Sequence, residues 1–196
     1  MRVEIVSRLE GIVKERMSTL KDTAHSYKHV ERVLKIATIL AEKENADSEL
    51  VQMGALLHDI GRATGKPHNE TGAGQATRIL KEMNYPPDRR EKVARIVLVH
   101  PLSYRDKLET LEEKIVWDAD KIDLMGVTGI MRAFHEAGSR GLPIEEGEKW
   151  GKEKGIRIHD SLNTRTAKRI AEARHSDMKH FLLALEKELS LQDLQE

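Results

Sequence analysis

Apolar residues recur every three to four positions along almost the whole chain, and nowhere do they alternate one by one. That period places them on one face of a helix, whereas a half-buried strand needs a period of two. Val3, Ile5, Val6, Leu9, Ile12, Val13 and Met17 form one such stripe, and Val30, Val33, Leu34, Ile36, Ala37 and Leu40 form the next. The residues predict an all-α protein. The second helix is expected to start at Asp22 or Thr23 and to reach about Glu44. A third, capped by Asp47 or Ser48, covers Glu49 to Asp59 and is apolar on most sides, so it belongs in the core. Further helices are expected at about 70–83, 88–100, 108–124 and 126–137, with one or two more over 161–191. Arg62 to Pro67 reads as a loop. The stretch 138–155, rich in glycine and charge, reads as a loop or a mobile flap able to close over a site.

Size and composition narrow the class. At 196 residues the chain fits a single domain over 1–196, with a core of about 20–185 and the first and last helices packed on it. A chain this long buries roughly 70% of its unfolded surface and needs no metal to hold its fold, so any metal present is there for chemistry. The 33 basic residues balance the 33 acidic ones. This excludes a general attraction to nucleic acid or to membrane surfaces, but permits a local pocket for a small phosphate compound. Cysteine is absent, so neither a disulfide nor a thiolate metal site exists. No apolar run reaches the ~20 residues of a membrane span. Charge interrupts the N-terminus every few residues, unlike a signal peptide. A soluble cytoplasmic protein is expected.

Three clusters carry chemistry. His25 and His29 lie four apart, on one helix face. His58 and Asp59 are adjacent, about 100° apart on a helix, so they converge on one point only at a helix end. Gly61 supplies that end. Asp118, Asp120 and Asp123 close a helix that begins apolar. Burying unpaired carboxylates is costly by several kcal/mol. A divalent cation bound by two imidazoles and two carboxylates removes that cost. Mn, Fe, Co, Ni, Zn and Mg all accept such a set.

These clusters occur in the order AHSYKHVERVLKIA, ALLHDIGR, WDADKIDLMG. In this order the chain resembles the HD superfamily of metal-dependent phosphohydrolases, and most of all small stand-alone members with a DADxxDxxG third motif. The resemblance covers about residues 20–185. It implies an HD-domain helical bundle and one divalent ion held by His29, His58, Asp59 and Asp120. It implies His58 and Asp59 as catalytic residues, with Asp59 also a proton acceptor. Asp118 and Asp123 become supporting or capping groups.

The expected substrate contacts are His25, Arg32, Arg62, Lys66, His68, His100, Lys121 and Asp123. His68 and His100 are expected at the rim; some relatives use histidines in that interval for a second metal or a phosphate. The resemblance implies hydrolysis of a phosphate ester or anhydride of a small substrate, a nucleotide by analogy, and is compatible with a homodimer. The alternatives are a non-catalytic nucleotide sensor and, more distantly, a di-iron oxygenase built on His68 and His100.

Overall fold

A computed structural model describes residues 2–18, 25–64 and 67–194. Its elements are helical, and no strand occurs among the described residues. The all-α expectation is borne out. Contacts divide the chain into two compact units, 1–120 and 121–196. Among the described residues no helix is long and apolar enough to cross a membrane.

The first unit holds α1 (Arg2–Met17), α2 (Tyr27–Glu44), α3 (Ser48–Leu57), α4 (His68–Glu82), α5 (Pro87–Val99) and most of α6 (Leu111–Asp123). Its core is built from the stripes read in the sequence. Leu9 and Val13 of α1 pack with Val30 of α2, with Met53, Leu56 and Leu57 of α3, and with Ile79, Leu80 and Val97 from α4 and α5. Each fully buried Leu or Ile contributes roughly 1.5–3 kcal/mol. α3 is the most enclosed of these helices, with seven of its ten residues buried. It ends before His58, which is its C-cap, so the HD pair lies just beyond the helix. The proposed start of α2 at Asp22 or Thr23 lies outside the described residues; Ser26 is the N-cap seen.

Asp47 caps α3, accepting from the Leu50 N–H at 3.2 Å. The same carboxylate takes both terminal nitrogens of Arg89, at 2.8 and 2.9 Å, which ties α3 to α5. Arg62 to Pro67 is only partly a loop, because Ile60–Ala63 forms a turn of 3₁₀ helix. That turn sits directly on α4. A Cβ on Gly61 would lie 2.0 Å from the His68 carbonyl oxygen and 2.6 Å from the Gly72 nitrogen. Only glycine permits this backbone-to-backbone contact.

The second unit holds α7 (Gly126–Ser139), α8 (Ile144–Glu153), the single-turn α9 (Ile158–Ser161) and α10 (Arg165–Leu189). Most of 138–155 is not a loop or flap, because α8 runs through its middle. The two glycines of α8 are packing residues. Gly147 and Gly151 are one turn apart, and added Cβ atoms there would meet Phe134 at 2.6 Å and Leu182 at 2.8 Å. Removing the side chain lets α8 approach α7 and α10, with Trp150, Ile156 and Phe181 around the contact. Gly126 has φ 68°, a left-handed value that explains the glycine closing the DADxxDxxG pattern.

The Asp47 junction makes a prediction about stability. Asp47→Ala should lose about 1–2 kcal/mol in urea unfolding at neutral pH, the usual effect of deleting a cap. Arg89 holds the Asp47 carboxyl below its ordinary value of 3.8, with the Leu50 N–H helping against partial burial. A folded-state pKa below the unfolded one adds stability above the unfolded value and loses it as pH falls through the folded value. The gap between wild type and Asp47→Asn should therefore shrink as pH drops below 3.8.

Candidate metal centre

Four side chains from three stretches meet inside the first unit. His29 projects from the first turn of α2, His58 and Asp59 from the end of α3, and Asp120 from α6. The His29 and His58 Nε2 atoms are 3.1 Å apart. His29 Nε2 lies 3.4 Å from Asp120 Oδ1 and 3.7 Å from Asp59 Oδ2. His58 Nε2 lies 3.6 Å from Asp59 Oδ2. All four residues are buried.

A second group adjoins the first and shares Asp59. Its other carboxylate oxygen, Oδ1, is 3.5 Å from His100 Nε2 and 3.8 Å from His68 Nε2. Those two nitrogens are 3.3 Å apart. The three residues could hold a cation, as could the trio of His29, His58 and Asp120.

The backbone prepares these imidazoles. His58 caps α3 and His100 caps α5. Each Nδ1 lies close to the carbonyl three residues back, at 2.8 Å to Ala55 and 2.6 Å to Val97. A carbonyl only accepts, so Nδ1 carries the proton and Nε2 presents a lone pair to the cluster. The same bond satisfies a carbonyl that the helix end leaves without a partner. Asn69 supports the arrangement by donating from Nδ2 to the Leu98 carbonyl at 2.8 Å, which fastens α4 to α5 beside His68 and His100.

The HD domain model matches residues 26–125, just over half of the chain. Bacillus subtilis YpgQ is 31% identical over 182 residues, 87% of each protein. This chain belongs to the HD domain family. The resemblance read from the three motifs is borne out. The crystal structure of B. subtilis YpgQ in complex with ADP superposes with a TM-score of 0.82 at 28% identity, covering 95% of this chain and 96% of that one. An HD-superfamily hydrolase from Bacillus thuringiensis gives 0.80 at 27% identity, over 97% and 99%.

Electrostatics favour metal ligation by this HD cluster. Burial pushes the His58 imidazole down to about 4, more than the nearby carboxylates raise it, so it is neutral at physiological pH. Burial and then the Arg62 charge bring His68 to about 4 as well. Burial opposes ionisation of Asp59, but His58, His100 and Arg62 outweigh it and hold the carboxyl well below the usual range. Asp59 Oδ1 is buried with no hydrogen-bond partner. A neutral His58 imidazole beside an ionised Asp59 carboxylate fits a divalent cation.

His25 stacks edge-on against His29, ring centroids 6.0 Å apart, and is half-buried. Arg32 is half-buried on α2. Arg62 places Nε 2.7 Å from Asp59 Oδ1. His100 is not a rim residue, because capping α5 draws it inside, with 3% exposure. His68 keeps a quarter of its side chain exposed. Asp118 is buried on α6. Lys121 and Asp123 are buried, and Asp123 pairs with Arg132 at 2.9 Å. Lys66 lies outside the described residues. Asn69 was missed; its position just after His68 carried no periodic signal.

Gly61 should be intolerant of change. Gly61→Ala forces the 3₁₀ turn off α4, at a cost of about 1–3 kcal/mol or more. A lowered thermal midpoint together with weaker Mn(II) binding in calorimetry is the expected result.

Proposed function

We propose that this chain is a metal-dependent phosphohydrolase that cleaves a phosphate ester or anhydride of a nucleotide. The observation that carries the reading is the convergence of His29, His58, Asp59 and Asp120, with donor atoms 3.1 to 3.7 Å apart in a buried cluster. Family membership and hydrolase neighbours support the reaction class. The ADP complex of YpgQ, a similar protein over nearly its whole length, supports a nucleotide as the substrate.

In this reading His29 and His58 offer ring nitrogens, while Asp59 and Asp120 offer carboxylate oxygens. The bound cation supplies Lewis acidity, acidifying water and offsetting negative charge on a phosphoryl group. The backbone bond of His58 to Ala55 fixes which ring nitrogen faces the centre. Asp59, held ionised, has little proton affinity, so its main part is to bind rather than to accept a proton. His25 and His68, both partly exposed beside the cluster, are the side chains proposed to meet the phosphate. Arg32, about one turn after His29 on α2, is proposed in the same role.

The test is phosphate or pyrophosphate release from a panel of nucleoside mono-, di- and triphosphates, with Mn, Co, Ni, Fe, Zn or Mg added. Turnover with at least one nucleotide is expected. His58→Ala and Asp120→Asn should each reduce it by more than the roughly 10- to 100-fold loss typical of a merely supporting group. Tight nucleotide binding with no hydrolysis under any metal would make the protein a ligand sensor and end the proposal.

A further inference from the structure

Asp59 turns its two oxygens to different neighbours. Oδ2 faces His29 and His58, at 3.7 and 3.6 Å. Oδ1 faces His68 and His100, and Arg62 reaches it at 2.7 Å. This second trio carries the donors a cation would want, yet a positive charge already stands there. A guanidinium remains charged at any relevant pH.

The local backbone dictates this placement. Arg62 is three residues after Asp59, in the turn Ile60–Ala63. In a 3₁₀ turn, residues three apart eclipse one another, so Arg62 lies over Asp59 by construction. The Arg62 N–H donates to the Asp59 carbonyl at 3.0 Å, which locks the register. The turn is pinned in place because Gly61 touches the backbone of α4. Arg62 Nε and Asp59 Oδ1 are close without an aligned hydrogen bond. Charge, rather than directional bonding, holds them together. The Arg62 side chain keeps 26% of its surface exposed, so it borders solvent while its Nε reaches inward.

We propose that Arg62 is the built-in cation of the Asp59–His68–His100 cluster: it takes the place of a second metal ion and limits the chain to one divalent cation. The inference rests on the reading that His29, His58, Asp59 and Asp120 hold the first. A divalent ion entering the second trio would sit beside the guanidinium and be repelled. With Arg62 in place, Asp59 Oδ1 is balanced by the protein itself, and Oδ2 is left to the first ion. The role is one of positioning and of setting metal number.

The experiment is Mn(II) stoichiometry on the full chain, by elemental analysis after gel filtration and by titration calorimetry, together with electron paramagnetic resonance. Wild type should bind one Mn(II) per chain and give the six-line spectrum of an isolated ion. Arg62→Met should bind two and give the broadened spectrum of a coupled pair, because the two clusters share Asp59. Arg62→Lys, which restores the charge, should return to one. Arg62→Met combined with His100→Ala should also return to one, which locates the added ion. If Arg62→Met does not fold, as judged by circular dichroism, Arg62→Gln removes the charge with less change in polarity and is read the same way. Two ions in wild type, or one in the neutral variants, overturns the inference. A rise in nucleotide KM at unchanged stoichiometry would make Arg62 a phosphate contact instead. No Mn(II) in wild type strikes at the first cluster and so at the proposed function, a distinguishable failure.

Discussion

The structure of the first unit turns on one carboxylate. Asp59 is buried and ionised, and five side chains gather around it: His29, His58, Arg62, His68 and His100. An isolated charge there would be prohibitively expensive. Two imidazoles face one of its oxygens, and a guanidinium with two further imidazoles faces the other. The helices that deliver these groups are held by ordinary apolar packing. The polar centre is therefore a cost imposed on a fold that the core already stabilises, as expected of a functional site.

Two helix ends do much of the work. α3 and α5 each finish in a histidine whose Nδ1 proton satisfies a carbonyl three residues back. A helix terminus leaves such carbonyls without partners in any case. Using an imidazole for the purpose also aims its Nε2 at the Asp59 cluster. Burial then keeps His58 neutral well below physiological pH, so no proton has to leave before a cation can bind.

Much of this was legible in the sequence because it is local and periodic. The stripes of α1, α2 and α3 follow the helical period, and Leu9, Val13, Val30, Val33 and Leu40 are buried as that period requires. Gly61 marked the end at which His58 and Asp59 could converge. What was not legible depends on distant pairing. His68 and His100 are 32 residues apart, and nothing in their own flanks says that both face Asp59. Their meeting depends on α4 packing against α5 and on the Gly61 contact, which are tertiary facts. The stretch 138–155 misled for a related reason. Gly147 and Gly151 look like loop residues, but they serve the close approach of α8 to its neighbours, and only the partners Phe134 and Leu182 reveal that.

The most direct test of the account is anomalous scattering from a crystal of the protein loaded with Mn(II). The account predicts a peak within coordination distance of His29 Nε2, His58 Nε2, Asp59 Oδ2 and Asp120 Oδ1 together. A saturated crystal with no peak there, or with manganese bound only elsewhere, would contradict it.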